Sequence, residues 1–123
     1  MNEVTESVNR VVVSETVKNN RQYIQFDFMG YLDHPAAVKG LETWKPLMAG
    51  NDKKDLIYNC TDMTGFDSTS RQMWQATMKE LKPKIGNIWM ISTNRFILAA
   101  AKTMGILAGF SIKTAKSLEE IHI

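Results

Sequence analysis

The densest run of chemistry-bearing side chains is Asn59-Cys60-Thr61-Asp62-Met63-Thr64-Gly65-Phe66-Asp67-Ser68-Thr69-Ser70. It follows the apolar run 56–60 and leads into a segment of helical period, so it is expected to leave a buried strand and enter a helix. The carboxyl edge of an open α/β sheet is where sites form. Asp67, Ser68, Thr69 and Ser70 crowd the helix start, where one of them caps it and the others lie over unpaired N–H groups at the positive end of the dipole. A phosphate on Thr69 or Ser68 would meet those N–H groups, while Asp62 and Asp67 would repel it, so phosphorylation there would change what the surface docks. The plainer reading is an N-cap and a polar turn.

Other chemistries have less support in the sequence. Asp62 and Asp67 could hold Mg²⁺, which takes one or two carboxylates plus waters. A phospho-accepting aspartate would need further acids after an early strand, and Met29-Gly30-Tyr31 supplies none. Asp33-His34 near a serine suggests a hydrolase triad, but there is no Gly-x-Ser-x-Gly elbow. Cys60, at the end of an apolar strand, reads as a small hydrophobe rather than a nucleophile. No catalytic set of acid, base and nucleophile emerges, and the chain is expected not to be an enzyme and to need no cofactor or metal.

Composition narrows the setting. The 123 residues suit one domain, with 44% hydrophobic and 23% charged residues, as in an ordinary globular chain. Lys and Arg total 15 against 13 Asp and Glu, a net +2 that predicts neither nucleic acid nor an anionic membrane as partner. Lys79, Lys82 and Lys84 lack the interleaved aromatics that a nucleic-acid site uses. A single cysteine rules out an intramolecular disulfide. The polar start with Glu3 and Glu6 is no signal peptide, and the apolar run 96–110 is interrupted by Lys102 and too short to span a bilayer. A cytoplasmic protein is expected.

Positioning the run requires a particular order of elements. Val11-Val12-Val13 and Val17, a turn at Asn19-Asn20, and the run 23–28 predict a hairpin. Pro35, just after Asp33-His34, fits the first turn of a helix through Ala37, Leu41, Trp44 and Met48, which Gly50 would stop. Residues 56–60 and 88–92 read as strands buried on both faces. A second helix covers 68–81, with Met73, Trp74, Thr77, Met78 and Leu81 inward. Asn94 caps a third, ending at Gly105. Phe110-Ser111-Ile112 is a last strand, and Ser117 with Glu120 forms a capping box opening a fourth helix near Leu118. The order ββαβαβαβα implies right-handed crossovers and a small α/β sandwich: a mixed, mostly parallel sheet with an N-terminal antiparallel edge and about four helices.

With these residues in place, the chain from Gln22 onward resembles the STAS domain family, that of the bacterial anti-sigma factor antagonists. Gly30-Tyr31-Leu32-Asp33 before Ala36-Ala37 is similar to the family's step into its first helix. The run 55–62 followed by Phe66-Asp67-Ser68-Thr69 is similar to its strand and Asp-Ser-Ser/Thr-Gly signature. Met104-Gly105-Ile106 and Ser117-Leu118-Glu119-Glu120 are similar to its later motifs. The resemblance implies a STAS-like fold and a regulatory interaction module. Its phosphoacceptor would be Thr69, with Ser68 as the alternative, and its partner an anti-sigma factor that is also a Ser/Thr kinase. Asp33, Asp62, Asp67, Ser68, Ser70, Arg71, Asn94 and Arg95 would flank the acceptor or meet the partner, and a homodimer stays open. The family's glycine falls on Ser70, so bulk and polarity are expected where a kinase approaches. The competing reading is a STAS-like scaffold, or a domain holding an apolar or nucleotide ligand among its helices, without phosphorylation.

Overall fold

A computed structural model describes residues 9–50 and 52–121. Most of the polar start, read as no leader, and Asn51 and His122 fall outside the described residues. Strands β1 (Arg10–Lys18) and β2 (Arg21–Leu32) form the expected hairpin. Lys18 pairs with Arg21 across Asn19 and Asn20, whose φ values are 53° and 63°. A two-residue turn of type I′ needs positive φ at both positions, and asparagine is among the few residues with a side chain that tolerate it.

Three helices follow: α1 (His34–Leu47), α2 (Ser68–Leu81) and α3 (Arg95–Ala108). Each begins where the capping pattern places it. Between and after them run β3 (Lys54–Phe66), β4 (Ile85–Ile91) and β5 (Ile112–Ala115). The sheet order is β1-β2-β3-β4-β5, with β1 antiparallel to β2 and the remaining pairs parallel. When successive parallel strands are immediate neighbours, right-handed crossovers all step the same way and leave every helix on one face. The core agrees: Phe26, Tyr58 and Met90 of the sheet cluster with Trp44, Trp74 and Met104 of the helices. On the other face Tyr23, Ile57 and Ile91 are buried with Ala115 and Ile121. The middle of β3 is thus covered on both sides, as its apolar run requires.

Four sequence expectations are corrected. The structure has three α-helices among the described residues, and the expected fourth is a single 3₁₀ turn, Leu118–Glu120. Ser117 makes no side-chain cap there, and Glu120 instead accepts from the Lys116 N–H at 2.9 Å. The third helix runs past Gly105 to a left-handed cap at Gly109, φ 86°. Phe110 and Ser111 precede the last strand, which occupies Ile112–Ala115. Finally, β3 continues through the mostly polar residues 61–65 to Phe66, because β2 extends alongside it with Met29 opposite Asp62 and Leu32 opposite Phe66. Among the described residues, no helix is long and apolar enough to cross a membrane.

Candidate functional site

Strands β2, β3 and β4 are parallel and each is followed by a helix, so the starts of α1, α2 and α3 stand along one edge of the sheet. Side-chain carbonyl or carboxylate groups cap all three. Asp33 Oδ1 accepts from Ala36 N–H at 3.0 Å, Asp67 Oδ1 from Ser70 N–H at 2.7 Å, and Asn94 Oδ1 from Phe96 and Ile97 N–H at 2.9 and 3.2 Å. The first two caps are also tied together, because Asp67 N–H donates to the Leu32 carbonyl at 3.2 Å. The aspartates flanking the proposed acceptor therefore lie side by side.

Ser68 and Thr69 are exposed at the first two positions of α2. With the Ser70 N–H bonded to Asp67 Oδ1 and the Arg71 N–H to the Asp67 carbonyl, the N–H groups still facing the helix start belong to Ser68 and Thr69. Asp62 is exposed but sits in the body of β3, apart from the cap. Asn94 and Arg95 are on the same edge at the start of α3. There Arg95 borders a groove shared with Thr114, Lys116 and Glu120 rather than with α2.

Ser70 requires a correction. The sequence placed its polarity on the approach surface, yet the residue is fully buried and its Oγ has no hydrogen-bond partner among the described residues. It lies one turn before Trp74 on the inward side of α2, so a small residue is what this position admits. A buried hydroxyl without a partner carries its desolvation cost uncompensated. Ser70→Ala is accordingly expected to raise stability by about 1 kcal/mol in urea melts, helped by the better helix propensity of alanine. An equal loss would mean that the hydroxyl is satisfied.

Electrostatics at the edge favour the ionised form of the Asp33 cap. Asn9 Nδ2 donates to Asp33 Oδ2 at 3.0 Å, and together with the Ala36 N–H it holds the Asp33 carboxyl below its ordinary range. A carboxyl whose pKa is lowered on folding adds stability above its unfolded pKa, and that stability disappears as pH falls through the folded value. Asp33→Asn, which keeps a capping oxygen but cannot ionise, is expected to lose this contribution at neutral pH and to match the wild type below the folded value, so the gap between the two midpoints closes as pH falls. Denaturant midpoints across an acid series check it. An unchanged acid limb would contradict the assignment.

Cys60 is directed inward from β3, and burial pushes its thiol up to about 12, so it remains neutral. His34 is exposed at the first position of α1, where Asp33 is the cap. Arg71 has a setting that the sequence did not show. Expected to flank the acceptor or meet the partner, it also borders a cavity between α2 and α3 whose interior includes Phe28, Cys60, Trp74 and Met104. The inward spacing of Met73, Trp74 and Met78 was visible in the sequence. The cavity beside Trp74 was not.

No protein-family model and no curated protein matches the sequence. Solved structures do. One is an uncharacterised protein of the DUF3478 family with a SpoIIAA-like fold from Shewanella loihica PV-4, with a TM-score of 0.80 at 10% identity, covering 96% of this chain and 95% of that one. Another is the anti-sigma factor antagonist SpoIIAA in its unphosphorylated form, with a TM-score of 0.59 at 17% identity, covering 89% of this chain and 92% of that one. The chain has a SpoIIAA-like, STAS-like fold.

Proposed function

We propose that this protein is a non-enzymatic regulatory module of the anti-sigma factor antagonist kind. It acts in the cytoplasm, docks a kinase-type anti-sigma factor over the start of α2, and is switched by phosphorylation of Thr69. The observation that carries the reading is the exposure of Thr69 at the second position of α2, beside the joined caps Asp33 and Asp67, in a SpoIIAA-like fold. Ser68 is the alternative acceptor, being exposed on the same turn.

The chemistry of the edge supports a switch in two ways. The N–H groups of Ser68 and Thr69 and the positive end of the helix can receive a phosphate, so the modified helix start stays folded. The Asp67 carboxylate, whose Oδ1 is held 2.7 Å from the Ser70 N–H, lies beside it, so the phosphate adds its charge to an acidic surface. A partner that fits the unmodified surface would be rejected. The absence of catalysis is supported by the neutral, buried thiol of Cys60.

The testing experiment is a pull-down from the native cell with the tagged protein, with and without ATP, followed by phosphosite mapping. Capture of a kinase-type protein that phosphorylates Thr69 or Ser68 and then releases the chain supports the proposal. Stable capture with no modification of either hydroxyl refutes the switch and favours a constitutive scaffold.

A further inference from the structure

Helix α3 is apolar on two sides. Ile97, Ala101, Met104 and Ala108 are buried in the core. A second set, Phe96, Ala99, Ala100, Thr103, Ile106 and Leu107, recurs at spacings of three and four and so shares the opposite, outer face. Phe96 is 88% exposed, Ile106 73% and Leu107 54%. Thr103 adds no free donor, because its hydroxyl donates to the Ala99 carbonyl at 3.0 Å. Single exposed apolar side chains are ordinary, but a helix apolar on both sides has the pattern of one that is covered on both. Cations border the outer stripe. Arg95 and Lys102, both exposed, lie along one flank of it. Lys82 Nζ stands 5.7 Å from the centre of the Phe110 ring, just past the end of the helix. None of the three makes an ion pair among the described residues, and α3 carries no acid. Glu120 shares a groove with Arg95 but accepts from the Lys116 N–H.

We infer that the outer face of α3 docks an amphipathic helix of a partner protein, one whose apolar ridge is flanked by Asp or Glu. Charge decides the occupant. A second copy of α3 would bring cations to cations, whereas an acidic flank would meet Arg95 and Lys102. Shape agrees with a helix. Ala99, Ala100 and Thr103 form a low stretch between Phe96 and the Ile106–Leu107 pair, and the ridge of a crossing helix fits such a saddle. Phe96 is the expected anchor, because buried aromatic side chains carry much of the energy of such contacts. The acidic flank supplies specificity and speeds encounter more than it adds affinity. The inference does not rest on phosphorylation, because it uses the outer face of α3 rather than the exposed hydroxyls of α2.

The experiment is fluorescence anisotropy of a stapled helical peptide with leucines at i, i+3, i+4 and i+7 and glutamates on both flanks, titrated with the full chain. Its twin carries lysines in place of the glutamates. The acidic peptide is expected to bind with Kd of about 100 μM or tighter, and the basic twin at least about tenfold more weakly. Phe96→Ser and Ile106→Ser should each weaken the acidic peptide by about tenfold. Both positions are exposed, so the variants keep the fold. Arg95→Glu combined with Lys102→Glu should reverse the preference, so that the basic twin binds the tighter. Equal binding of the two peptides, an unreversed preference, or no binding of the acidic peptide by the folded wild type would each overturn the proposal. Self-association in sedimentation that Phe96→Ser abolishes would overturn it in favour of a second copy. Binding to phosphatidylserine vesicles that Phe96→Ser abolishes, with no peptide binding, would overturn it in favour of a lipid surface.

Discussion

Trp44→Ala is expected to lower the free energy of unfolding by about 3–5 kcal/mol, the range for removing a large aromatic from a packed core. Trp44 is 0% exposed and packs against an aromatic cluster built around Phe26 and Trp74. It stacks on Trp74 with centroids 5.8 Å apart and meets Phe26 edge-on at 5.2 Å. Truncation would open a cavity between α1, α2 and the sheet whose rigid walls cannot collapse. A finer comparison tests the polar side of the same cluster. Trp44 Nε1 has no hydrogen-bond partner among the described residues, whereas Trp74 Nε1 donates to the fully buried Tyr58 hydroxyl. Trp44→Phe removes an uncompensated donor along with some volume, while Trp74→Phe leaves the Tyr58 hydroxyl orphaned. The second substitution should therefore cost about 1–3 kcal/mol more than the first. Urea melts of the two variants decide it, and equal costs would show that the Trp74–Tyr58 bond contributes nothing net.

The same residues show what was legible in the sequence. The starts of all three helices could be read because their signals are local and redundant. Asp33 precedes Pro35, Asp67 precedes a run of hydroxyls, and Asn94 precedes an alanine-rich apolar stretch, and each does cap its helix. Helix ends were less legible, because glycine serves more than one purpose. Gly105 was read as a terminator, but it lies where α3 crosses the start of β5, and a Cβ there would stand 2.7 Å from Ile112 Cδ1. It is glycine for close approach. The terminator is Gly109, around which Phe110 N–H reaches the Gly105 carbonyl at 2.6 Å and Gly109 N–H reaches Ile106 at 3.0 Å, the paired bonds of a Schellman motif. That wrap also explains why Phe110 cannot begin the next strand.

Long-range pairing hid the remainder. Residues 61–65 are mostly polar and contain Gly65, so locally they read as a turn. They stay extended because β2 runs on past Phe28, with register shifts around Met29 and Gly30 that keep the two strands paired to Phe66. No local pattern encodes that partnership. The candidate site divides the same way. Exposure of Ser68 and Thr69 follows from their place at a capped helix start. The inward turn of Ser70 and the position of Arg71 at the α2–α3 cavity depend on how two helices cross, which depends in turn on side chains distant in sequence.

Thr69→Glu is expected to weaken binding of the captured partner by on the order of a hundredfold, while Thr69→Ala leaves it constitutive. The site permits a clean test, because Thr69 is exposed. Acidic side chains are favourable in the first turn of a helix, so the glutamate variant should fold as well as the wild type. The effect must then come from the interface. Phosphate adds about −1.5 to −2 charges at a surface where Asp33 and Asp67 already stand side by side. A partner docked over the helix start would bring that charge into a partly desolvated contact, with repulsion from both carboxylates and lost hydrogen bonds. Glutamate carries less charge than phosphate and lacks its geometry, so the phosphorylated protein should bind more weakly still. Affinities of wild type, Thr69→Ala, Thr69→Glu and the phosphorylated chain for one captured partner should fall in that order from Thr69→Ala downward, with wild type equal to alanine when unmodified. If the alanine and glutamate variants bind alike, charge at this position does not govern docking, and the start of α2 is a fixed contact surface rather than a switch.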